Sequence, residues 1–304
     1  MLLAWQCKGA RPAARWCAVG LGLSGCAAKE GGETGAAAAG AGGCPAFAEP
    51  EALGTVAEGA LTEASGLAAS GRHAGVFWTH NDDGDDDDGV LYAVDEGGAS
   101  RGSLRITGAE PEDWEAVASD GAGVLVVGDI GDNDRSREAL KLWTVTEPAE
   151  LDADATAAVA TPTVLRWPDV PRDAEAMVVD PETGRPVVFS REPGRAVLLR
   201  APASGEEGEV IGEMSLMEGV LADSGEVRGA DLVPGSGVWV RTDEAVAWFG
   251  WAGSLVDTLT GVACAAPSPP EADGEAIAAW NGGFVTLGEG AAPVLWGVAE
   301  ALLR

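Results

Sequence analysis

The sequence predicts an all-β chain built as one ring of repeated four-stranded sheets, and three observations carry that reading. A short phrase recurs: a carboxylate, a small residue, two or three apolar residues, a glycine-containing turn and an apolar strand. It stands at Glu63, Glu115, Glu175 and Glu275, with a degenerate copy at Gly229-Ala230-Asp231-Leu232. The spacings are 52, 60, 54 and 46 residues, a mean of 53. Second, 44 Gly and 17 Pro break the chain into short apolar runs, which calls for many turns. Third, long apolar helical stretches are absent from the sequence. A period near 50 residues with several strands per unit is that of a β-propeller. The spacing favours five blades; six blades of about 43 residues are the alternative.

Each unit divides into apolar runs separated by turn residues, as strands do. The first holds 64–69, 76–80, 90–95 and 103–107, and the second 116–119, 124–128, 140–146 and 162–167. The third holds 176–179, 186–190, 196–200 and 210–216, and the fourth 230–233, 237–241, 245–251 and 255–262. The fifth has 276–280, 283–287 and 294–298 and then lacks a strand, while 54–61 is spare near the N-terminus. A propeller closes by lending a strand from one terminus to the other, so the spare segment completes the fifth blade.

The N-terminus reads as an address. Lys8, Arg11 and Arg15 precede the apolar run 16–25, which is too short to span a bilayer. It ends in Leu23-Ser24-Gly25-Cys26, which resembles the bacterial lipobox and implies that Cys26 is lipidated. The expected organisation is a signal peptide at 1–25, a lipidated Cys and flexible tether at 26–43, and a propeller at 44–304. Cys7 and Cys17 leave with the signal, so Cys44 and Cys264 remain. In an oxidising compartment such a pair bridges; two inert buried thiols are the other reading. The bridge would close a loop of 220 residues. In the chain-entropy model it is worth about 4–5 kcal/mol.

Nineteen basic residues against 49 acidic ones give a net charge of −30. That excludes nucleic acid and anionic membrane surfaces as partners, since both attract basic patches. The expected address is extracytoplasmic, on the bacterial cell envelope, with the membrane met only through the N-terminal lipid. The expected state is a monomer with a small-molecule, glycan or protein ligand.

In a propeller the innermost strands run the same way along a central channel, so equivalent residues meet at one mouth. Glu63, Glu115, Glu175 and Glu275 begin those strands, with Asp231 near the fifth position. The second strands return to the same mouth and bring His80, Asn81, Asp82, Asp129, Asp132, Asn133, Arg191 and Arg241. Crowded carboxylates raise one another's pKa unless a cation compensates, and Ca²⁺ takes six to eight oxygen ligands. Glu115, Asp129, Asp132, Asn133, Asn81 and Asp82 are therefore the expected calcium ligands. Arg191, Arg241, Glu175 and Glu275 are the expected ligand-binding residues, and Glu115, Glu63 and His80 the expected catalytic ones. In the structural alternative the glutamates accept backbone N–H groups of neighbouring blades, and Arg191 and Arg241 form surface ion pairs.

Asp113-Trp114-Glu115, Gly128-Asp129-Ile130-Gly131-Asp132-Asn133, Arg137 and Glu147-Pro148 together resemble a signature of uncharacterised bacterial secreted propeller proteins. The stretches 78–82 and 173–176 are similar to that group too, and the sequence departs from it at Asp83 and the run 85–88. A looser likeness, by architecture, is to gluconolactonase-type calcium-dependent propellers. Together these readings predict a binding or interaction module with a calcium-holding mouth. The alternative is a calcium-dependent hydrolase of lactones, phosphoesters or glycans.

Several local patterns are set aside. The acidic run from Asp83 has Asp88 where an EF-hand needs Gly and Val94 where it needs Glu. Gly98-Ala99-Ser100-Arg101-Gly102 has the letters of a nucleophile elbow but joins two strands of one blade. Trp78, Trp143, Trp239, Trp248 and Trp296 fall on strands and read as inter-blade core.

Overall fold

The computed structural model describes residues 43–82, 89–151, 155–158, 162–271 and 273–301. Cys26, the signal segment and the Asp85–Asp88 run lie outside the described residues.

Apolar alternation bounded by glycine turns produces the strands in chain order. β1 (Glu51–Thr55) comes first. Blade 1 follows, with β2 (Ala64–Ala69), β3 (Val76–Asn81), β4 (Val90–Asp95) and β5 (Ser100–Thr107). Blade 2 is β6 (Trp114–Ser119), β7 (Val124–Asp129), β8 (Leu140–Thr146) and, after β9 (Ala155–Ala158), β10 (Thr163–Leu165). Blade 3 is β11 (Ala174–Asp180), β12 (Arg185–Ser190), β13 (Arg195–Arg200) and β14 (Glu209–Ser215). Blade 4 is β15 (Val227–Val233), β16 (Gly237–Thr242), β17 (Val246–Gly250) and β18 (Ala263–Ala266). Blade 5 contributes β19 (Gly274–Trp280), β20 (Gly283–Gly288) and β21 (Val294–Val298). Its fourth strand is β1, antiparallel to β21, so the N-terminal segment closes a ring of five blades. The closing strand lies at Glu51–Thr55, a few residues before the expected 54–61.

Two elements differ from the sequence reading. The expected strand at 255–262 is a short helix, α1 (Leu255–Leu259), and the outer strand of blade 4 follows it. Ser254 accepts the Asp257 N–H at 3.1 Å and holds that first helical turn; this N-cap outweighs the apolar character of the segment. β9 was not anticipated. It adds in parallel to the outer edge of β5, which makes blade 1 five-stranded and covers an edge otherwise open to pairing.

The buried side chains form one apolar cluster at each of the five junctions between neighbouring blades. The junction of blades 4 and 5 is the thinnest, with Trp239, Val246, Ile277, Phe284 and Val298 as its fully buried members. That junction is clasped in two further ways. Phe47 meets the Trp239 ring edge-on at 5.1 Å. The expected disulfide between Cys44 and Cys264 ties the segment leading into β1 to β18, with Cα atoms 5.4 Å apart. The ring is thus closed once by backbone pairing and once covalently, and its central strands hold a fixed register.

Candidate functional site

Each innermost strand breaks register with its neighbour near its first residue. The bulge falls between Trp114 and Ala116, Ala174 and Ala176, Val227 and Gly229, Gly274 and Ala276, and Ala64 and Leu67. A bulged residue drops out of the ladder and its side chain is re-aimed. The five re-aimed positions are Glu115, Glu175, Arg228, Glu275 and, in blade 1, the pair Ser65-Gly66. The true repeat at the mouth is therefore Ser, Glu, Glu, Arg, Glu. This corrects two positions in the sequence reading. Glu63 is exposed and lies one residue ahead of β2. Asp231 accepts the backbone N–H of Ala279 at 2.6 Å and of Leu232 at 2.9 Å, a structural staple between blades 4 and 5.

Arg228 organises one side of the ring. Its Nη1 donates to Glu175 at 2.9 and 3.1 Å and to Glu275 Oε1 at 3.1 Å, while its Nε donates to Asp243 Oδ1 at 2.5 Å. Arg191, foreseen at this mouth, donates from Nη1 to Glu175 and from Nε to Glu226 Oε2 at 3.0 Å. Its Nη1 also reaches Asp173 Oδ2 and Asn133 Oδ1, each at 3.4 Å. Glu175 thus sits between two guanidinium groups. The other side of the ring has no such partner. Among the described residues Glu115 is held by Ser65 alone, whose Oγ lies 2.9 Å from Oε2 and 3.1 Å from the Glu115 carbonyl.

The electrostatics follow from burial. Burial pushes the Glu115 carboxyl well above the usual carboxylate range, and repulsion from Glu175, Asp113 and Glu275 adds to it. Glu275 is pushed up to about 8, first by burial and then by Glu175 and Glu289. Glu175 is raised to about 7 by burial, with Arg228 and Arg191 opposing. Asp113, beside the ring, is raised to about 6 by burial against the pull of Arg137. Ser65, Glu115, Glu175 and Arg228 line a cavity on the channel axis. Its volume of about 10 Å³ is room for about one water-sized group.

The remaining expected site residues are spent elsewhere. Asp129 accepts Arg137 Nη2 at 2.7 Å and the Asp113 N–H at 3.1 Å. Asp132 accepts the N–H groups of Ser136 and Arg137 at 2.7 and 3.0 Å, a turn that supports the preceding loop. Asn81 accepts the N–H groups of Thr62 and Glu63 at 2.9 and 3.0 Å and donates to the Ala60 carbonyl at 2.8 Å. Asp82 ties its N–H to the Glu63 carbonyl and its carbonyl to the Trp114 N–H, both at 2.9 Å. Arg241 is buried and donates to Glu271, apart from the Glu175–Arg228 network. Among the described residues no group of three His, Cys, Asp or Glu side chains is disposed to hold a metal ion.

His80 is fully buried rather than facing solvent at the mouth. Burial lowers its pKa to about 4, against the pull of the Asn81 and Ala116 backbone, so the ring is neutral at pH 7. Its Nδ1 lies 2.9 Å from the Asn81 carbonyl and its Nε2 fills the space a side chain at Gly66 would need. This is an inter-blade packing role. The signals missed in the sequence were Ser65 and Arg228. Arg228-Gly229-Ala230 occupies the register of Glu115-Ala116-Val117, a match hidden because the residue type changes sign.

No family model matches the chain, and no curated protein matches it. Solved structures do. Glutaminyl cyclase from Myxococcus xanthus is 12% identical, with 84% of this chain and 99% of that one covered and a TM-score of 0.48. The β-propeller domain of Cps50 (Swd1) from Myceliophteria thermophila is 12% identical over 80% of this chain and 98% of that one, TM-score 0.41. Hydrazine synthase of Kuenenia stuttgartiensis is 9% identical over 75% of this chain and 56% of that one, TM-score 0.40.

Proposed function

We propose that this protein is a lipid-anchored, extracytoplasmic binding module whose channel mouth takes a cationic ligand. One observation carries the reading: the buried Glu115 and Glu175 and the partly buried Glu275 meet on one channel, and among the described residues the arginines that reach them, Arg228 and Arg191, contact Glu175 and Glu275 but not Glu115. Asp113 and Asp173 add to the negative charge felt by Glu115 and Glu175 respectively. A cation entering from solvent would recover the Coulombic energy that the carboxylates lack, and it would lower their raised pKa values. A scaffold role for the glutamates alone would be served by neutral side chains at lower cost.

The test is calorimetric titration of small organic cations and of Ca²⁺ into wild type and a Glu115→Gln, Glu275→Gln double variant. Saturable binding in the wild type, lost in the variant, supports the reading. Absence of any cation binding overturns it. A parallel screen against esters, lactones and glycans decides between a module and a hydrolase, since turnover lost in the same variant would make the mouth an active site. The anchor is tested by radiolabelled fatty-acid incorporation, expected in wild type and absent in Cys26→Ser.

A further inference from the structure

The two sides of the ring differ in what they leave unfinished. Glu175 and Glu275 already hold a guanidinium between them, whereas Glu115 meets no basic side chain among the described residues. Glu115 is 5% exposed, and the one hydrogen bond to its carboxylate among those residues is that of the Ser65 hydroxyl to Oε2. The cavity it lines has about 10 Å³, the space of a single water-sized group. Around it stand the Glu115 carboxylate, the Ser65 hydroxyl and Glu175, with Arg228, whose guanidinium is engaged by Glu175, Glu275 and Asp243, on the far side. Gly66 admits no larger residue, since a Cβ there would lie 2.4 Å from His80 Nε2 and 2.6 Å from the Val117 nitrogen.

We infer that the throat of the channel, at Glu115 and Ser65, receives the head of a primary ammonium ligand, an R–NH₃⁺ group with its chain directed out through the mouth. The inference rests on the cationic-ligand reading and names its chemistry. A primary ammonium is water-sized and carries three donors. One meets the Glu115 carboxylate, another the Ser65 hydroxyl oxygen, and a third the shared acceptors of the ring. A quaternary ammonium brings no donors and exceeds the space. A hard ion such as Ca²⁺ takes six or more oxygens, and among the described residues no group of three His, Cys, Asp or Glu side chains is disposed for it. Arg228 holds the neighbouring glutamates, which leaves Glu115 as the carboxylate open to exchange.

The experiment uses n-butylammonium as probe, with tetramethylammonium and Ca²⁺ as comparators, titrated into the protein at constant ionic strength and pH 8.5. Wild type, Glu115→Gln, Ser65→Ala and the surface control Glu213→Gln are compared, with folding checked by circular dichroism. Saturable n-butylammonium binding should weaken about 10–100-fold in Glu115→Gln, as expected for a charge-assisted hydrogen bond. It should weaken about 3–10-fold in Ser65→Ala and stay unchanged in Glu213→Gln. If Glu115→Gln does not fold, Ser65→Ala decides alone. Binding indifferent to both variants places the ammonium elsewhere and overturns the inference. Equal or tighter binding of tetramethylammonium or Ca²⁺ at the same site overturns the choice of head group and leaves the cationic mouth standing. If no cation binds at all, both fall together.

Discussion

The channel has a compensated half and an uncompensated half. On the side of blades 3 to 5, Glu175 and Glu275 share Arg228, and Arg191 adds a second guanidinium to Glu175. On the side of blades 1 and 2, Glu115 has a serine hydroxyl and a buried neutral histidine behind the wall. The strands are equivalent, and each breaks register near its first residue. The difference is which residue type the repeat places at the bulge. A symmetric fold therefore yields an asymmetric electrostatic site. The half with internal counter-charges is suited to structure, and the half without them is suited to a ligand.

The comparison can be broken or sharpened by substitution. The largest expected effect touches both halves equally: Cys44→Ser with Cys264→Ser should lower unfolding stability by about 4–5 kcal/mol, since the bridge closes a long loop. It should leave the slope of stability against pH unchanged, which denaturant titration at pH 5.5 and 8.5 checks. Arg228→Leu should cost about 3 kcal/mol at pH 8, the low end for breaking a buried ion pair because its side chain is 21% exposed. The loss should shrink at pH 5, where Glu175 and Glu275 are protonated.

Glu175→Gln and Glu115→Gln should differ in size, and this is the sharpest test of the asymmetry. Glu175→Gln removes a buried carboxylate that Arg228 and Arg191 partly offset, and should raise Tm at pH 8.5 by less than Glu115→Gln does. Glu115→Gln removes a carboxyl that has no basic partner and should raise Tm at pH 8.5 by about 2–4 °C. The pH dependence has a definite sign. Glu175 and Glu275 titrate at about 7 and about 8 in the folded chain against 4.5 unfolded, so the folded state binds more protons between those values. The stability this contributes is complete below pH 4.5 and is lost as pH rises through about 7 and 8. Scanning calorimetry should show Tm falling over that window, and falling less in Glu275→Gln. The smallest effect is that of Ser65→Ala, about 1 kcal/mol for one lost hydrogen bond.

Much of the fold was legible because a propeller repeats. The strands 64–69, 90–95, 140–146 and 294–298 match their observed limits, since each is an apolar run with a turn former at or near one end: Ser70-Gly71, Gly89, Pro148 and Pro293. The helix at Leu255–Leu259 was not legible, because five residues held by one cap have no periodicity to detect. The candidate site was legible by neighbourhood and not by residue. Glu115, Glu175, Glu275 and Arg191 were placed at the mouth, and the structure brings Arg191 onto Glu175 and links Glu175 to Glu275 through Arg228. Glu63 and Asp231 were misassigned, standing two positions before Ser65 and three positions after Arg228, because a bulge shifts register without leaving any mark in composition.

By itself the sequence determined that the chain is β, that it repeats about every 53 residues and that a terminal strand completes the last blade. These are local or periodic properties, written in hydrophobic alternation and turn residues. Only the tertiary structure decided which residue of each repeat leaves the ladder, that Arg228 stands where a fifth carboxylate was expected, and that Glu115 has no basic partner among the described residues. Those outcomes depend on distances between segments some 50 residues apart across a closed ring, and Coulomb energy depends on those distances and not on position along the chain.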